Sequence, residues 1–152
     1  MTQRSVTHHT FTIERTFPAK PARVFAAFSQ LDSIKKWFAG PPEWGEERIE
    51  LDFRVGGTMT ASGGPKGGVQ HRFACRYFEI IPNERIIYAY EMHLDDTRIS
   101  VSLATIEIAA SGTGTRLVIT EAGSFLDGTD TGGARERGTQ DLIAKLGQSL
   151  QD

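Results

Sequence analysis

The sequence contains a single cysteine, Cys75, among 152 residues. One thiol cannot form an intramolecular disulfide, and it cannot supply a cysteine-based zinc site. We expect Cys75 to be a small buried side chain rather than a nucleophile. His8 and His9 are adjacent in an extended segment, so their side chains point to opposite faces and are poorly placed for chelation. We therefore expect no metal and no cofactor.

Long apolar runs are also missing. The longest ones span only a few residues, far short of the roughly 20 that a membrane helix requires. The first nine residues contain no apolar core of a signal peptide. We therefore expect a cytoplasmic protein without a membrane partner.

Neither sign of charge is in clear excess, because 17 Lys and Arg residues stand against 19 Asp and Glu residues. Phosphate backbones require a basic excess, so we expect no nucleic-acid partner. What the chain does have is apolar bulk: 39% of the residues are hydrophobic, with nine Phe, three Tyr and two Trp. This composition is typical of one globular domain, here residues 1–152, with a large core or a pocket.

Alternating and helical periodicities give the order of the elements. The pattern predicts a first strand over 10–17, a helix over 22–29, and a second short helix that carries Leu31, Ile34, Trp37 and Phe38 on one side. Six further strands are predicted over residues 48–55, 58–62, 69–81, 85–93, 98–109 and 115–121. A long helix over 134–150 ends the chain; its Gly138 and Gly147 suggest that something packs closely against it.

Short connections between the strands predict an antiparallel meander, and segregated helices with antiparallel strands are typical of the α+β class. A sheet of about seven strands has to curl. The helix over 134–150 is the only predicted element long enough to fill its concave face.

One strand contains a conflict of parity. Ile99, Val101 and Leu103 are odd, whereas Ile106 and Ile108 are even, and a regular strand cannot place both sets on one face. One interpretation is a β-bulge near residues 104–105 that shifts the register. The other is a second apolar surface that forms a dimer face or contacts the short helices. The sequence therefore leaves the oligomeric state open between a monomer and a homodimer.

Several motifs carry a resemblance to a known family. They are IERTFPA at 13–19, VFAAF at 24–28, KWFAGP at 36–41, DFRVGG at 52–57, FEIIPNERI at 78–86, GTRL at 114–117, and the helix from Gly138 to Leu150. In this order the chain resembles the START-like, birch-pollen-allergen-like superfamily, often labelled SRPBCC. Within it, the chain is similar to proteins grouped with the activator of the heat-shock-ninety ATPase.

The resemblance implies a helix-grip fold with a cavity between the sheet and the long helix. The chain departs from the family at three positions that the resemblance places in the pocket: Thr139 follows Gly138 where Trp is usual, Phe38 stands for a second Trp, and Glu121 stands for His. Ligand identity is therefore not transferred. The resemblance allows three functions: binding of a small hydrophobic molecule, a polyketide cyclase-like enzyme in the same cavity, or co-chaperone-like stimulation of a heat-shock-ninety ATPase.

Parity identifies the residues expected to face the cavity. Tyr88, Tyr90 and Met92 share one face of their strand. Glu121 shares the face of Leu117 and Ile119; it is either a cavity acid with a raised pKa or a salt-bridged strand end, for instance with Arg137. We expect the ligand-binding residues to be Trp37, Phe38, Phe53, His71, Tyr88, Tyr90, Met92, Glu121, Phe125, Gly138 and Leu142.

Two of these expectations leave alternatives open. His71 could reach the pocket and pair with a carboxylate as a base, or it could be a surface residue of a hairpin. Trp37, Phe38 and Trp44 flank a Pro–Gly break. They either pack the short helices on the edge of the sheet or form an aromatic gate to the cavity. No catalytic residue can be assigned from the sequence.

Overall fold

A computed structural model describes residues 3–151. The strands are β1 (Val6–Phe17), β2 (Arg48–Leu51), β3 (Thr58–Gly63), β4 (His71–Ile81), β5 (Arg85–Leu94), β6 (Thr97–Ser111) and β7 (Gly114–Leu126). The helices are α1 (Pro21–Ser29), α2 (Leu31–Ile34) and α3 (Gly132–Ser149), with a 3₁₀ turn at Pro42–Trp44.

All seven strands form one antiparallel sheet in the order β1-β7-β6-β5-β4-β3-β2. The sheet is curved and open, and together with the C-terminal helix and the short helices it forms the predicted α+β, helix-grip-like fold. Helix α3 closes the concave side, where Ile143 and Leu146 are buried with Ile106 and Ile119. Burial of these side chains is the main stabilising contribution of the helix.

The helices start where the sequence gives a start signal. Pro21 occupies the first turn of α1, where a missing N–H costs nothing. Thr131 caps α3 by accepting a hydrogen bond from the Ala134 N–H at 3.1 Å. Helix α2 is shorter than predicted, and Trp37 and Phe38 lie in the turns after it, although the Phe38 N–H still donates to the Ile34 carbonyl at 2.9 Å.

Every strand differs from its predicted bounds at one end or both. Strand β2 ends at Leu51 rather than 55, because the chain then folds into a turn in which the Gly57 N–H donates to the Arg54 carbonyl and Gly56 has a φ of 83°. Strand β4 begins at His71 instead of 69. Strand β7 continues to Leu126, because β1 pairs with it from Val6 onward.

The bulge predicted near residues 104–105 is wrong in its position. Strands β6 and β7 pair in unbroken register from Ser100 to Ser111, and the shift lies instead between β5 and β6, where Ile99 is the extra residue. Val101 and Leu103 are 45% and 51% exposed on the outer face, as in the alternative interpretation, whereas Ile99 is buried at 4% exposure. They do not contact the short helices on the inner side.

The two glycines of α3 differ in their surroundings. A Cβ atom at Gly147 would lie 2.9 Å from Phe17 Cε1, so close packing is confirmed there. At Gly138 a Cβ would meet no atom within 4 Å, so the same expectation is wrong for that residue.

Candidate functional site

A cavity of about 380 Å³ lies between the concave face of the sheet and α3. Strands β4 and β5 supply Phe73, Tyr88 and Tyr90, and the turn after α2 supplies Trp37 and Phe38. The rest of the wall consists of Phe28, Ala39, Gly40, Trp44, Glu47, Ala61, His71, Met92, Ile119, Glu121, Asp130, Ala134, Arg135, Gly138, Thr139, Leu142 and Ile143. Apolar and aromatic groups dominate this lining, and a few polar groups are gathered in it.

Contacts between aromatic rings, both edge-on and tilted, hold the aromatic wall together. Phe38 meets Phe73 at a centroid distance of 5.1 Å and 66°, and Phe73 meets Tyr90 at 5.1 Å. Trp37 packs edge-on against Phe28 at 5.3 Å, and its Nε1–H donates to the Ala27 carbonyl at 2.9 Å. Trp37 is therefore a fixed part of the packing as well as part of the wall.

A buried hydrogen-bond chain forms the polar part of the cavity. Arg135 Nη1 donates to Tyr90 Oη at 3.1 Å, and Tyr90 Oη donates to Glu121 Oε1 at 2.5 Å. Glu121 is only 5% exposed and is a buried acid of the cavity wall. Its partner is Tyr90, backed by Arg135; the alternative of a salt bridge to Arg137 is wrong, because Arg137 lies on the exposed side of α3.

Several groups of the protein hold the head group of Arg135. Its Nη2 donates to Ser100 Oγ at 2.9 Å and forms an ion pair with Asp130 Oδ2 at 2.8 Å. The guanidinium carbon also lies 5.3 Å from the ring centroid of Phe125 and 5.6 Å from that of Tyr90. These contacts fix the head group and orient its charge toward Tyr90.

Burial sets the protonation of these groups. It raises the pKa of Glu121 above its ordinary value, opposed by the hydrogen bond from Tyr90 and the charge of Arg135. Burial, and then the carboxylate of Glu121, raise the pKa of Tyr90 and of Tyr88 above that of a free phenol. Both phenols therefore keep their protons and can donate hydrogen bonds.

Two polar atoms face the cavity without a partner in the described part of the chain. Glu121 Oε2 and Tyr88 Oη form no hydrogen bond with residues 3–151. Among those residues, Ser102 Oγ is the only fully buried side-chain nitrogen or oxygen without a hydrogen-bond partner. Glu121 Oε2 and Tyr88 Oη are therefore not fully buried, and they keep access to open space. They are available to a bound molecule.

A second polar group of the wall lies near the Pro–Gly break. Glu47 Oε1 accepts a hydrogen bond from the Gly40 N–H at 2.8 Å, and burial raises the pKa of this carboxyl. Trp44 stacks on His71 with centroids 4.6 Å apart. The described residues include no carboxylate in an ion pair with His71, so the expected acid–base pairing of this histidine is not formed.

Nine of the eleven predicted ligand-binding residues line the cavity: Trp37, Phe38, His71, Tyr88, Tyr90, Met92, Glu121, Gly138 and Leu142. Phe53 does not; it packs edge-on against Tyr77 at 4.9 Å because the chain turns away after β2. Phe125 does not either, because it lies beneath Arg135.

The sequence prediction missed Arg135, Asp130 and Glu47. A signal existed for the first, because Arg135 stands three residues before Gly138 and seven before Leu142 and so shares their helix face. No comparable signal marks Asp130 or Glu47, which lie in connections.

Among residues 3–151, no helix is long and apolar enough to cross a membrane. The same residues contain no group of three or more His, Cys, Asp or Glu side chains arranged to hold a metal ion.

Comparisons with known proteins identify a matching family and several similar solved structures. Residues 18–151 match the family described as Activator of Hsp90 ATPase homolog 1-like protein. A solved structure of an uncharacterised protein from Rhizobium leguminosarum is 44% identical, with 99% of each chain covered and a TM-score of 0.93. A protein from Rhizobium loti is 39% identical, covers 95% of this chain and 99% of its own, and has a TM-score of 0.87.

A third structure, of a protein from Chromobacterium violaceum, is 29% identical with a TM-score of 0.78, and 94% of this chain and 97% of that one are covered. The comparison with functionally curated proteins found no match.

Proposed function

Because the chain belongs to the Activator of Hsp90 ATPase homolog 1-like protein family and has a cavity between its sheet and α3, we propose that it binds a small hydrophobic or aromatic molecule there. The observation that carries the proposal is the cavity of about 380 Å³. Ligand sites in proteins typically measure about 300–1,000 Å³ and combine apolar walls with a few oriented polar groups.

The character of the wall supports binding over ordinary core packing. Side chains in a protein core fill the space between elements to nearly crystalline density, and a void of this size forfeits contacts on every lining residue. Here Tyr88 and Glu121 also turn polar atoms toward the void. A bound apolar molecule with a polar group would restore both the contacts and the hydrogen bonds.

The test uses N-phenyl-1-naphthylamine, a neutral probe whose fluorescence rises in apolar surroundings. We expect saturable binding to the wild-type protein. Leu142→Trp places a larger ring in the cavity and should weaken binding by at least about tenfold. Ala144→Trp adds the same ring on the exposed side of α3 and should leave binding unchanged.

Gly138→Leu provides an independent obstruction, in case Leu142→Trp disturbs the fold. A Cβ at this position meets no atom within 4 Å, so the new side chain extends from the helix without a clash. Thermal unfolding of each variant shows whether the fold is kept. Equal probe binding by wild type and both cavity variants would contradict the proposal, as would a complete lack of saturable binding.

A further inference from the structure

The polar part of the cavity carries more negative than positive charge. Glu121 and Asp130 supply two carboxylates, and Arg135 supplies the single guanidinium of the wall. Arg135 is already committed to Tyr90, Ser100 and Asp130, each within 3.1 Å. Three of its five N–H donors are therefore used inside the protein, and its charge is paired with the carboxylate of Asp130.

The direction of the hydrogen bonds in this chain determines which groups of a ligand the cavity can bind. Arg135 donates to Tyr90, and Tyr90 donates to Glu121 Oε1 at 2.5 Å. The guanidinium polarises the phenol, and a polarised phenol stabilises the ionised carboxyl that accepts from it. The chain thus ends at the carboxyl group of Glu121, which lines the cavity, and in the ionised form its second oxygen can only accept a hydrogen bond.

The remaining wall adds further negative potential. Glu47 is a third carboxyl group of the wall. The charge of Lys145 acts on this carboxyl, and Lys145 Nζ donates a hydrogen bond to the Ala39 carbonyl at 3.2 Å. An anionic ligand would meet three carboxyl groups of the wall against one guanidinium, which is already paired with Asp130.

Building on the proposed binding function, we propose that the ligand is a compact apolar molecule with a hydroxyl or amino group that donates a hydrogen bond to Glu121 Oε2. Tyr88 lies on β5, on the same concave face of the sheet, and its Oη can form a hydrogen bond with the same group of the ligand. Carboxylates and sulfonates of the same size are excluded by the carboxylates of the wall.

The test compares three naphthalenes that differ in one substituent and are measured by isothermal calorimetry near neutral pH. 2-Naphthol is a neutral donor, 2-methoxynaphthalene has no donor, and 2-naphthoate is an anion. We expect 2-naphthol to bind at least about tenfold more tightly than 2-methoxynaphthalene, because a hydrogen bond to a buried carboxylate is among the stronger ones. 2-Naphthoate should bind most weakly of the three.

Glu121→Gln identifies the residue responsible. The Gln carbonyl can still accept from Tyr90, but its amide then turns N–H donors toward the cavity. The variant should lose the preference for 2-naphthol and retain binding of 2-methoxynaphthalene. Glu50→Gln, on the exposed face of β2, is the matched control and should keep the wild-type order.

The possible outcomes distinguish a failure of the donor preference from a failure of the proposed binding function. If all three compounds bind equally and Leu142→Trp abolishes their binding, the cavity is a ligand site but the donor preference is wrong. Tightest binding of 2-naphthoate also overturns the preference alone. If none of the compounds or the fluorescent probe binds saturably, both proposals fail.

Discussion

The hydroxyl of Tyr90 donates to Glu121 Oε1 at 2.5 Å, across the β6 strand that separates β5 from β7. Ala104, the β6 residue that pairs with Glu121, has a side chain too small to fill the inner face between them. The two polar groups therefore meet inside the sheet's curvature, where little water reaches them. This pair gives the cavity its polar character and determines how the protein should respond to pH.

The first prediction concerns the pH dependence of stability. Burial raises the pKa of Glu121, so between its ordinary value of 4.5 and the raised value the folded protein holds more protons than the unfolded chain. The contribution of this residue to the free energy of unfolding therefore falls as pH rises through that window. Relative to Glu121→Gln, the wild type should lose stability as pH rises from about 4.5 through the raised pKa of Glu121 in urea titrations.

Tyr90→Phe extends the same argument. Removing the donor raises the pKa of Glu121 further, so the fall in stability should continue to higher pH than in the wild type. Parallel pH profiles for wild type and Glu121→Gln would show that this carboxyl titrates alike in the folded and unfolded states.

Local patterns account for much of this site. Strand parity placed Tyr88, Tyr90 and Met92 on one inner face, and it placed Glu121 among the buried positions of β7. Alternation is dictated by the backbone alone, so it can be read without knowing the partner strands. The order of elements was likewise sufficient for the sheet and its covering helix.

The parts that failed depend on contacts between elements. The partner of Glu121 could not be identified, because the rotation of α3 over the sheet is set by tertiary packing such as that of Phe17 on Gly147. The bulge at Ile99 arises from the pairing of β5 with β6, which the sequence of β6 alone does not reveal. Phe53 continued an alternating pattern into a turn, where alternation no longer defines a face.

A second prediction concerns the reactivity of Cys75. The side chain is 5% exposed, and burial raises the pKa of its thiol to about 11. Only the thiolate reacts with disulfide reagents, so a buried protonated thiol should be modified slowly. We expect the folded protein to react with Ellman's reagent at least about a hundredfold more slowly than the urea-unfolded chain near pH 8. Rapid modification of folded protein would show that Cys75 is accessible.

A third prediction compares the two glycines of α3. Gly138→Ala should stabilise the protein by about 1 kcal/mol, because alanine has the better helix propensity and the new Cβ meets open space. Gly147→Ala should gain nothing or lose stability, because its Cβ would lie 2.9 Å from Phe17 Cε1. Urea unfolding of both variants measures the difference, and equal gains would show that Phe17 yields without cost.

The last prediction uses two neighbouring inward-facing serines of β6. Ser100 Oγ accepts a hydrogen bond from Arg135 Nη2 at 2.9 Å, whereas Ser102 Oγ is enclosed and has no partner among residues 3–151. Ser100→Ala should therefore cost about 1–3 kcal/mol, because it leaves a donor of a buried guanidinium unsatisfied. Ser102→Ala should be neutral or stabilising, because it removes a hydroxyl whose desolvation is not compensated.

Both substitutions remove one oxygen from adjacent sites of the same strand face, so each serves as the control for the other in urea unfolding. The difference between them isolates the hydrogen bond to Arg135 from the general cost of truncating a serine. A comparable loss from both would mean that Ser102 Oγ is satisfied in solution, for example by a buried water. In that case the inner face of β6 holds a hydrated polar site beside Tyr90, because Ser102 pairs with Tyr90 in the sheet.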